Sequence, residues 1–130
     1  MTLLDPETWD DKNDAHFLAV YKQKKKLITV LAACFTKAPE TYHHWRVFAN
    51  GSSGVCLTFK GPELLRALFE IPGVRAEHVT YLTLKDIRQK SLHASELPFL
   101  KRIAFEHEEE FRVIYESSLG KFPKLDIYIL

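Results

Sequence analysis

The fold of this chain is decided by one apolar stretch, Leu27-Ile28-Thr29-Val30-Leu31-Ala32-Ala33-Cys34-Phe35. Its β-branched residues favour an extended backbone. Because the stretch is almost wholly apolar, it suits a strand that is covered on both faces rather than one with a face in water. We therefore predict that Leu27–Phe35 is the central strand of a sheet.

The residues before this strand predict a helix. Asp5-Pro6-Glu7 has the features of a helix start, because aspartate caps free N–H groups and proline is tolerated at the first helical position. Apolar residues then recur at helical spacing from Trp9 to about Gln23. We interpret the lysine-rich run 22–26 that follows as a solvated turn or helix end rather than a phosphate-binding patch.

The residues after the central strand alternate between helical and extended patterns. Pro39-Glu40 is expected to open a short helix that Asn50-Gly51 closes, and Gly61-Pro62-Glu63 is expected to open another. The other predicted helices are 84–90 and 96–107, and the other predicted strands are 54–59, 74–82, 111–115 and 125–130.

The segment Gly54–Phe59 is expected to be a buried strand. Its alternation would place Val55, Leu57 and Phe59 on one face. We expect that face to join the same core as the strand 111–115, so that Leu57→Ala would reduce stability by about 2–5 kcal/mol.

Together these elements predict a single α+β domain over residues 1–130, with a mixed, mostly antiparallel sheet packed with short helices. A length of 130 residues is within the usual size of one domain. Apolar residues make up 46% of the chain and charged residues 27%, which is too apolar for a disordered protein.

Charge and targeting signals favour a cytoplasmic protein that binds neither nucleic acid nor membrane. The 18 basic and 17 acidic side chains give a net charge of +1, without the basic excess typical of nucleic-acid binders. The N-terminal residues lack the pattern of a signal peptide, and the longest apolar run is too short to span a bilayer. Cys34 and Cys56 form no Cys-x-x-Cys pair, so we expect buried, reduced thiols.

The strongest candidate for chemistry is the segment 108–115, Glu-Glu-Glu-Phe-Arg-Val-Ile-Tyr. In a strand that begins at Glu108, the apolar side chains face the core: Phe111, Val113 and Tyr115. Glu108, Glu110 and Arg112 would then share the opposite face and border the principal cleft. Two carboxylates beside a guanidinium could hold a sugar hydroxyl or polarise a leaving group, with Arg112 keeping one carboxylate ionised. The commoner interpretation is an outer strand face stabilised by charge pairs.

Other site patterns in the sequence are weak. His43 and His44 are adjacent and diverge by about 100° on a helix, no His-x-x-x-His spacing occurs and the other histidines are isolated, so no metal site is expected. No serine sits in a nucleophile elbow, and no glycine-rich loop follows a strand. Trp45 is expected at the rim of a cleft, either facing a ligand or fully buried.

Five short motifs occur in order along the chain. They are Cys34-Phe35-Thr36, Trp45-x-x-Phe48-Ala49, Gly54-Val55-Cys56-Leu57-x-Phe59, Val79-x-Tyr81 and Lys101-x-x-x-Phe105-x-x-Glu108-x-Glu110-x-Arg112. Over residues 6–115 the chain resembles the bacterial domain-of-unknown-function family 2971. Phe48 and Phe105 stand where the family has tyrosine and tryptophan. The family's usual N-terminal strand is expected to be missing here.

The family has no established activity, so the resemblance implies an uncharacterised bacterial cytoplasmic protein. Its Glu-x-Glu strand is also similar to that of ADP-ribosyltransferases, which implies NAD-cleaving chemistry by analogy. In this enzyme hypothesis Glu110 hydrogen-bonds the ribose of NAD and Glu108 orients the acceptor. Trp45 or Phe48 would stack on a ring of the substrate.

Two further hypotheses remain open at this point. A non-catalytic binding module would use Lys101, Arg112 and Trp45 to hold a small molecule or a partner protein. A structural role would give the same side chains packing and charge-pair functions, for instance at a homo-oligomer contact. A pocket in which Trp45 converges with Glu108, Glu110 and Arg112 would favour the first two hypotheses over the third.

Overall fold

The central strand predicted from the apolar stretch is present. In the computed structural model, which describes residues 1–49 and 51–128, it runs over Thr29–Thr36 (β2). It is the third strand of a five-stranded antiparallel sheet, between β6 (Glu110–Ser117) and β1 (Thr2–Leu4). The edge strands are β3 (Val74–His78) beside β6 and β7 (Lys124–Asp126) beside β1.

The remaining elements surround this sheet. Two short strands, β4 (Thr80–Leu82) and β5 (Leu100–Arg102), form a separate parallel pair. The α-helices are α1 (Lys12–Lys24), α2 (Tyr42–Phe48), α3 (Gly61–Phe69) and α4 (Leu84–Gln89). Turns of 3-10 helix cover Pro6–Thr8, Gly51–Ser53, Ala94–Phe99 and Ile103–Glu108. The α+β class is confirmed, and the parallel pairing lies outside the main sheet.

Both faces of the sheet are covered, which is why the central strand carries apolar residues on both sides. Successive residues of β2 point to opposite faces, so Val30 and Leu31 enter different cores. One core lies under α1 and contains Leu18, Tyr21, Val30, Ala32, Leu82, Leu97, Phe99, Leu100 and Ile114. The other lies under α3 and contains Leu3, Leu31, Leu64, Leu68, Val113 and Ile127.

The first long helix begins later than its sequence pattern suggests. Asp5 caps only the short turn Pro6–Thr8, and Asp11 caps α1 by accepting hydrogen bonds from two backbone N–H groups. The side chains that α1 buries are one or two turns apart: Asp14, Leu18 and Tyr21. Because this stripe faces the sheet, it carries the carboxylate of Asp14 into the interior.

The prediction of a buried strand over Gly54–Phe59 is wrong. Residues 54–60 have no regular structure, and Val55 and Leu57 are 78% and 72% exposed. Alternating apolar residues favour an extended backbone, but a strand also needs a partner, and β2 is already flanked by β1 and β6. The large stability loss expected for Leu57→Ala is therefore wrong as well. At the end of the segment Phe59 reaches the fold, where its ring contacts that of Phe35.

The expected burial of both cysteines is also wrong. Cys34 and Cys56 are both exposed free cysteines. Cys34 lies near the end of β2, where residues alternate between partial burial and exposure, and Cys56 lies in the irregular segment 54–60.

Several predicted elements have different boundaries. The stretch 74–82 divides into β3 and β4, which belong to different sheets. The helix predicted over 96–107 is replaced by two 3-10 turns separated by β5, consistent with the proline at position 98. The last strand ends at Asp126, and the predicted positions 129–130, like the turn residue 50, lie outside the described residues.

None of the helices in the described residues is both long enough and apolar enough to cross a membrane.

Candidate functional site

Of the three charged residues predicted to share one face, the structure places two on the strand. Glu110 and Arg112 share one face of β6, where Arg112 Nε donates a hydrogen bond to Glu110 Oε1 at 2.6 Å. Glu108 ends the preceding 3-10 turn, because Glu109 adopts a left-handed backbone with φ of 43°. The prediction that the strand begins at Glu108 is therefore wrong, although the three side chains still converge.

These side chains belong to a buried charge network of five residues. The members are Asp14, Lys101, Glu108, Glu110 and Arg112. All five are at most 8% exposed, and Arg112 is 0% exposed. The predicted solvated outer face is therefore wrong, since the face of β6 that carries these charges is covered by α1 and the 3-10 turns.

Arg112 lies at the centre of the charge network. Its two terminal nitrogens donate to the carboxylate of Asp14 at 2.7 and 2.6 Å, forming a bidentate pair. The same guanidinium also donates to the backbone carbonyl of Pro98 at 2.8 Å. The Trp9 ring lies over it, with the centroid 5.3 Å from the guanidinium carbon.

Lys101 joins the remaining carboxylates. Its ammonium lies 2.7 Å from Glu108 Oε2, 3.2 Å from Glu110 Oε2 and 3.7 Å from Asp14 Oδ2. The Phe105 ring lies 4.9 Å from that ammonium. Each carboxylate of the charge network therefore faces at least one cation, as buried charges require.

The electrostatics of the charge network follow from burial and pairing. Burial alone would raise the pKa of Glu110, but the positive charges of Arg112 and Lys101 outweigh it and hold that pKa below its usual value. Burial raises the pKa of Asp14, which Arg112 opposes. For Lys101 burial would lower the pKa, and its three carboxylate neighbours raise it instead. The expectation that Arg112 favours an ionised carboxylate agrees with the direction at Glu110.

The surface next to the charge network is shallow. The depression there is lined by Asp11, Asn13, Asp14, Phe17, Lys101, Arg102 and Phe105. It has no room for a water molecule, and Glu108, Glu110 and Arg112 do not line it. The expected cleft bordered by those three residues is not found at this depression.

Trp45 and Phe48 lie on α2, on the outside of the molecule. Trp45 donates its indole N–H to the carboxylate of Glu40 at 2.6 Å in an exposed hydrogen bond. Phe48 is 64% exposed, and its ring stacks on that of His44. The structure thus brings together Lys101, Glu108, Glu110 and Arg112, but gives Trp45 a different partner.

Two features of the candidate site were not predicted from the sequence: the role of Asp14 and a cluster of two histidines with a glutamate. Asp14 completes the charge network, and its helical spacing with Leu18 could have shown that it lies on the buried stripe of α1. His43, His107 and Glu108 have ligand atoms that all lie within 4.8 Å of one another. No spacing motif links His43 to the other two, because they are brought together only by the tertiary fold.

We compared the chain with known proteins by family, by sequence and by structure. No protein-family model, no curated protein and no solved structure matches it.

Proposed function

We propose that this protein is a non-catalytic protein-interaction module, which binds an extended strand of a partner protein along residues 54–59. The observation that carries the proposal is a segment that has the alternating apolar sequence of a strand but no partner strand. Val55 and Leu57 are 78% and 72% exposed, and no backbone hydrogen bond joins residues 55–59 to another described residue.

Unpaired backbone groups beside alternating apolar side chains are what a partner strand requires. In strand addition the backbone groups supply affinity, and alternate side chains supply specificity. The segment is also fixed at both ends. A Cβ on Gly54 would lie 2.2 Å from the Cβ of Ala49, so only glycine fits there, and Phe59 packs its ring 5.7 Å from that of Phe35. This anchoring lowers the entropy lost on binding.

The neighbouring helix extends the apolar surface. No residue of α2 is buried, and Tyr42, Val47 and Phe48 are 76%, 54% and 64% exposed. Large exposed apolar groups close together in the chain are typical of interaction surfaces. The resemblance to domain-of-unknown-function family 2971 supports the proposal further, because its Gly-Val-Cys motif is a strand in that family and falls on residues 54–56 here.

The charge network argues for binding over NAD cleavage. A catalytic glutamate must reach the reacting atoms of its substrate. Glu110 is 5% exposed and both of its carboxylate oxygens are held by cations, at 2.6 Å by Arg112 and 3.2 Å by Lys101. NAD turnover that depends on Glu110 is the outcome that would favour the enzyme instead.

The binding test uses a phage-displayed library of random peptides panned on the wild-type protein. Selected peptides should bind wild type, and binding should be lost in Leu57→Ser and in Thr58→Pro, which removes one backbone N–H. Leu119→Ser is the matched control, because Leu119 is 94% exposed but lies far along the chain from the segment. Amide exchange of residues 55–59 should slow when a selected peptide is bound.

Three outcomes would overturn the proposal. Selected peptides that bind Leu57→Ser and Thr58→Pro as well as wild type would place the binding surface elsewhere. A wild-type dimer in light scattering that Thr58→Pro converts to a monomer would make the partner a second copy of this chain. Nicotinamide release from NAD by wild type, abolished in Glu110→Gln, would make the protein an enzyme.

A further inference from the structure

The geometry points to a zinc site formed by His43, His107 and Glu108, with a fourth position open to solvent. The three residues come from two elements: His43 from α2, and the other two from the end of the turn Ile103–Glu108. Their ligand atoms all lie within 4.8 Å of one another. The site includes no residue of the segment 54–59 and does not depend on the proposed strand addition, although His43 lies on α2, whose exposed apolar residues extend that surface.

One of the ligand-to-ligand distances already suits a tetrahedral ion. Two ligands bound to one Zn²⁺ at about 2.0–2.2 Å stand about 3.3–3.6 Å apart. His43 Nε2 and Glu108 Oε1 lie 3.4 Å apart, which is long for a hydrogen bond but right for two ligands of one ion. The rings of His43 and His107 are edge to face with centroids 4.5 Å apart, and the exposed His107 ring would have to move closer to complete the set.

Hydrogen bonds from other residues hold the carboxylate ligand Glu108 in position. Lys101 donates to Glu108 Oε2 at 2.7 Å, which leaves Oε1 as the oxygen turned toward His43. Thr36 donates its hydroxyl to the backbone carbonyl of Glu108 at 2.6 Å and fixes the turn itself. Hydrogen bonds of this kind to the outer side of a ligand are typical of protein metal sites.

The local charge also favours a cation. The charge network holds three carboxylates against the two cations Lys101 and Arg112, which leaves one negative charge in excess. A divalent ion bound to Glu108 would offset that charge. Exposure rises outward from Glu108, 7% exposed at its side chain, to His43 at 37%, so an ion can reach the site from solvent.

The ligand set favours a transition-metal ion such as Zn²⁺ over a hard cation. Two imidazoles and one carboxylate with an open fourth position are ligands that Zn²⁺ takes in tetrahedral sites, while hard cations such as Mg²⁺ prefer oxygen ligands alone. When bound, the ion would fasten α2, which buries none of its own residues, to the turn Ile103–Glu108. It would therefore raise the melting temperature of the protein by binding the folded state.

The test is titration calorimetry of the full chain with zinc chloride. Wild type should bind one Zn²⁺ per chain, and His43→Gln and His107→Gln should each weaken binding by at least about tenfold. His16→Gln is the matched control, since His16 is an exposed histidine of α1 that is not one of the three ligands, and it should bind as wild type does. Zinc should raise the melting temperature of wild type and His16→Gln, and a chelator should reverse the shift.

Both substituted ligands are at least one-third exposed, so these variants should fold. No zinc binding by wild type would overturn the inference. The inference would also be overturned if His43→Gln and His107→Gln bound zinc as tightly as wild type, or if His16→Gln lost zinc binding. Thr58→Pro should still bind zinc, because it alters only the proposed partner-binding segment. Failure of one proposal would therefore leave the other standing.

Discussion

Arg112 and Asp14 form a bidentate ion pair inside the protein, with nitrogen-to-oxygen distances of 2.7 and 2.6 Å across 98 residues of sequence. The pair ties α1 to the central part of the sheet. Both side chains are almost wholly buried, so water could not solvate either charge if its partner were removed.

Breaking this pair should be strongly destabilising. Asp14→Asn leaves the Arg112 guanidinium buried with less compensating charge, so we expect the free energy of unfolding to fall by about 3–5 kcal/mol. Urea denaturation followed by circular dichroism measures it. Glu63→Gln is the control, because the Lys60–Glu63 pair is exposed and 3.6 Å long, and it should change stability by less than about 1 kcal/mol. A loss below about 1 kcal/mol in Asp14→Asn would contradict the buried pair.

Two leucines of opposite burial should respond differently to truncation. Leu68 is 0% exposed under the sheet, so Leu68→Ala should reduce the free energy of unfolding by about 2–5 kcal/mol. Leu57 is 72% exposed, so Leu57→Ala should change it by less than about 0.5 kcal/mol. Similar losses in the two variants would show that residues 54–59 pack into the protein after all.

Tyr21 should make the protein sensitive to alkali. Burial and the hydrogen bond from its hydroxyl to Glu116 raise the pKa of Tyr21 to about 12 from an ordinary value of 10.0. Because the folded-state pKa is the higher one, this stability is fully present below pH 10 and is lost as the pH rises from about 10 to about 12. The loss is at most about 3 kcal/mol.

The alkaline prediction is checked by unfolding at a series of pH values and by tyrosinate absorbance. Tyr21→Phe should show a smaller fall in stability over that interval than wild type. Tyr42, which is 76% exposed, provides the control Tyr42→Phe, which should behave as wild type does. An unchanged alkaline profile in Tyr21→Phe would show that this hydroxyl is not buried against Glu116.

The two cysteines should differ in reactivity although both are exposed. Residue Cys34 has exposed surface, but burial of the thiol against the surrounding protein raises its pKa, and the carboxylate of Glu110 adds to that effect. Cys56 lies in the irregular segment 54–60. Since the thiolate is the reactive form, iodoacetamide should label Cys56 first, as followed by mass spectrometry of the peptides. Equal rates at both positions would contradict this difference.

Much of the fold follows from the sequence. The stretch Leu27–Phe35 predicted the central strand because only a strand covered on both faces accepts so many apolar residues in a row. The helix α1 followed from apolar spacing, although it begins later than predicted, and α3 followed from the Gly61-Pro62-Glu63 start signal. The strand prediction for Gly54–Phe59 was wrong because an alternating pattern indicates a preference for extended backbone. It does not indicate whether a partner strand is within reach.

The candidate site was only partly predictable. The two-residue period of a strand correctly placed Glu110 and Arg112 on one face of β6. The charged pattern predicted that this face is exposed to solvent. It is instead covered by α1, which depends on tertiary packing. The left-handed Glu109 removed Glu108 from the strand, which no alternation rule anticipates for a non-glycine residue. The approach of His43 to His107 joins distant segments, so no local spacing encodes it.

We propose that the charge network stabilises the fold, since all five of its residues are at most 8% exposed and paired with opposite charges. The most direct measurement is made on Glu110→Gln, comparing its free energy of unfolding and its nicotinamide release from NAD with those of wild type. We expect a loss of at least about 1.5 kcal/mol, because two buried cations lose a charged acceptor, and no nicotinamide release from either protein. Unchanged stability in Glu110→Gln, together with NAD turnover by wild type that the variant lacks, would contradict the claim.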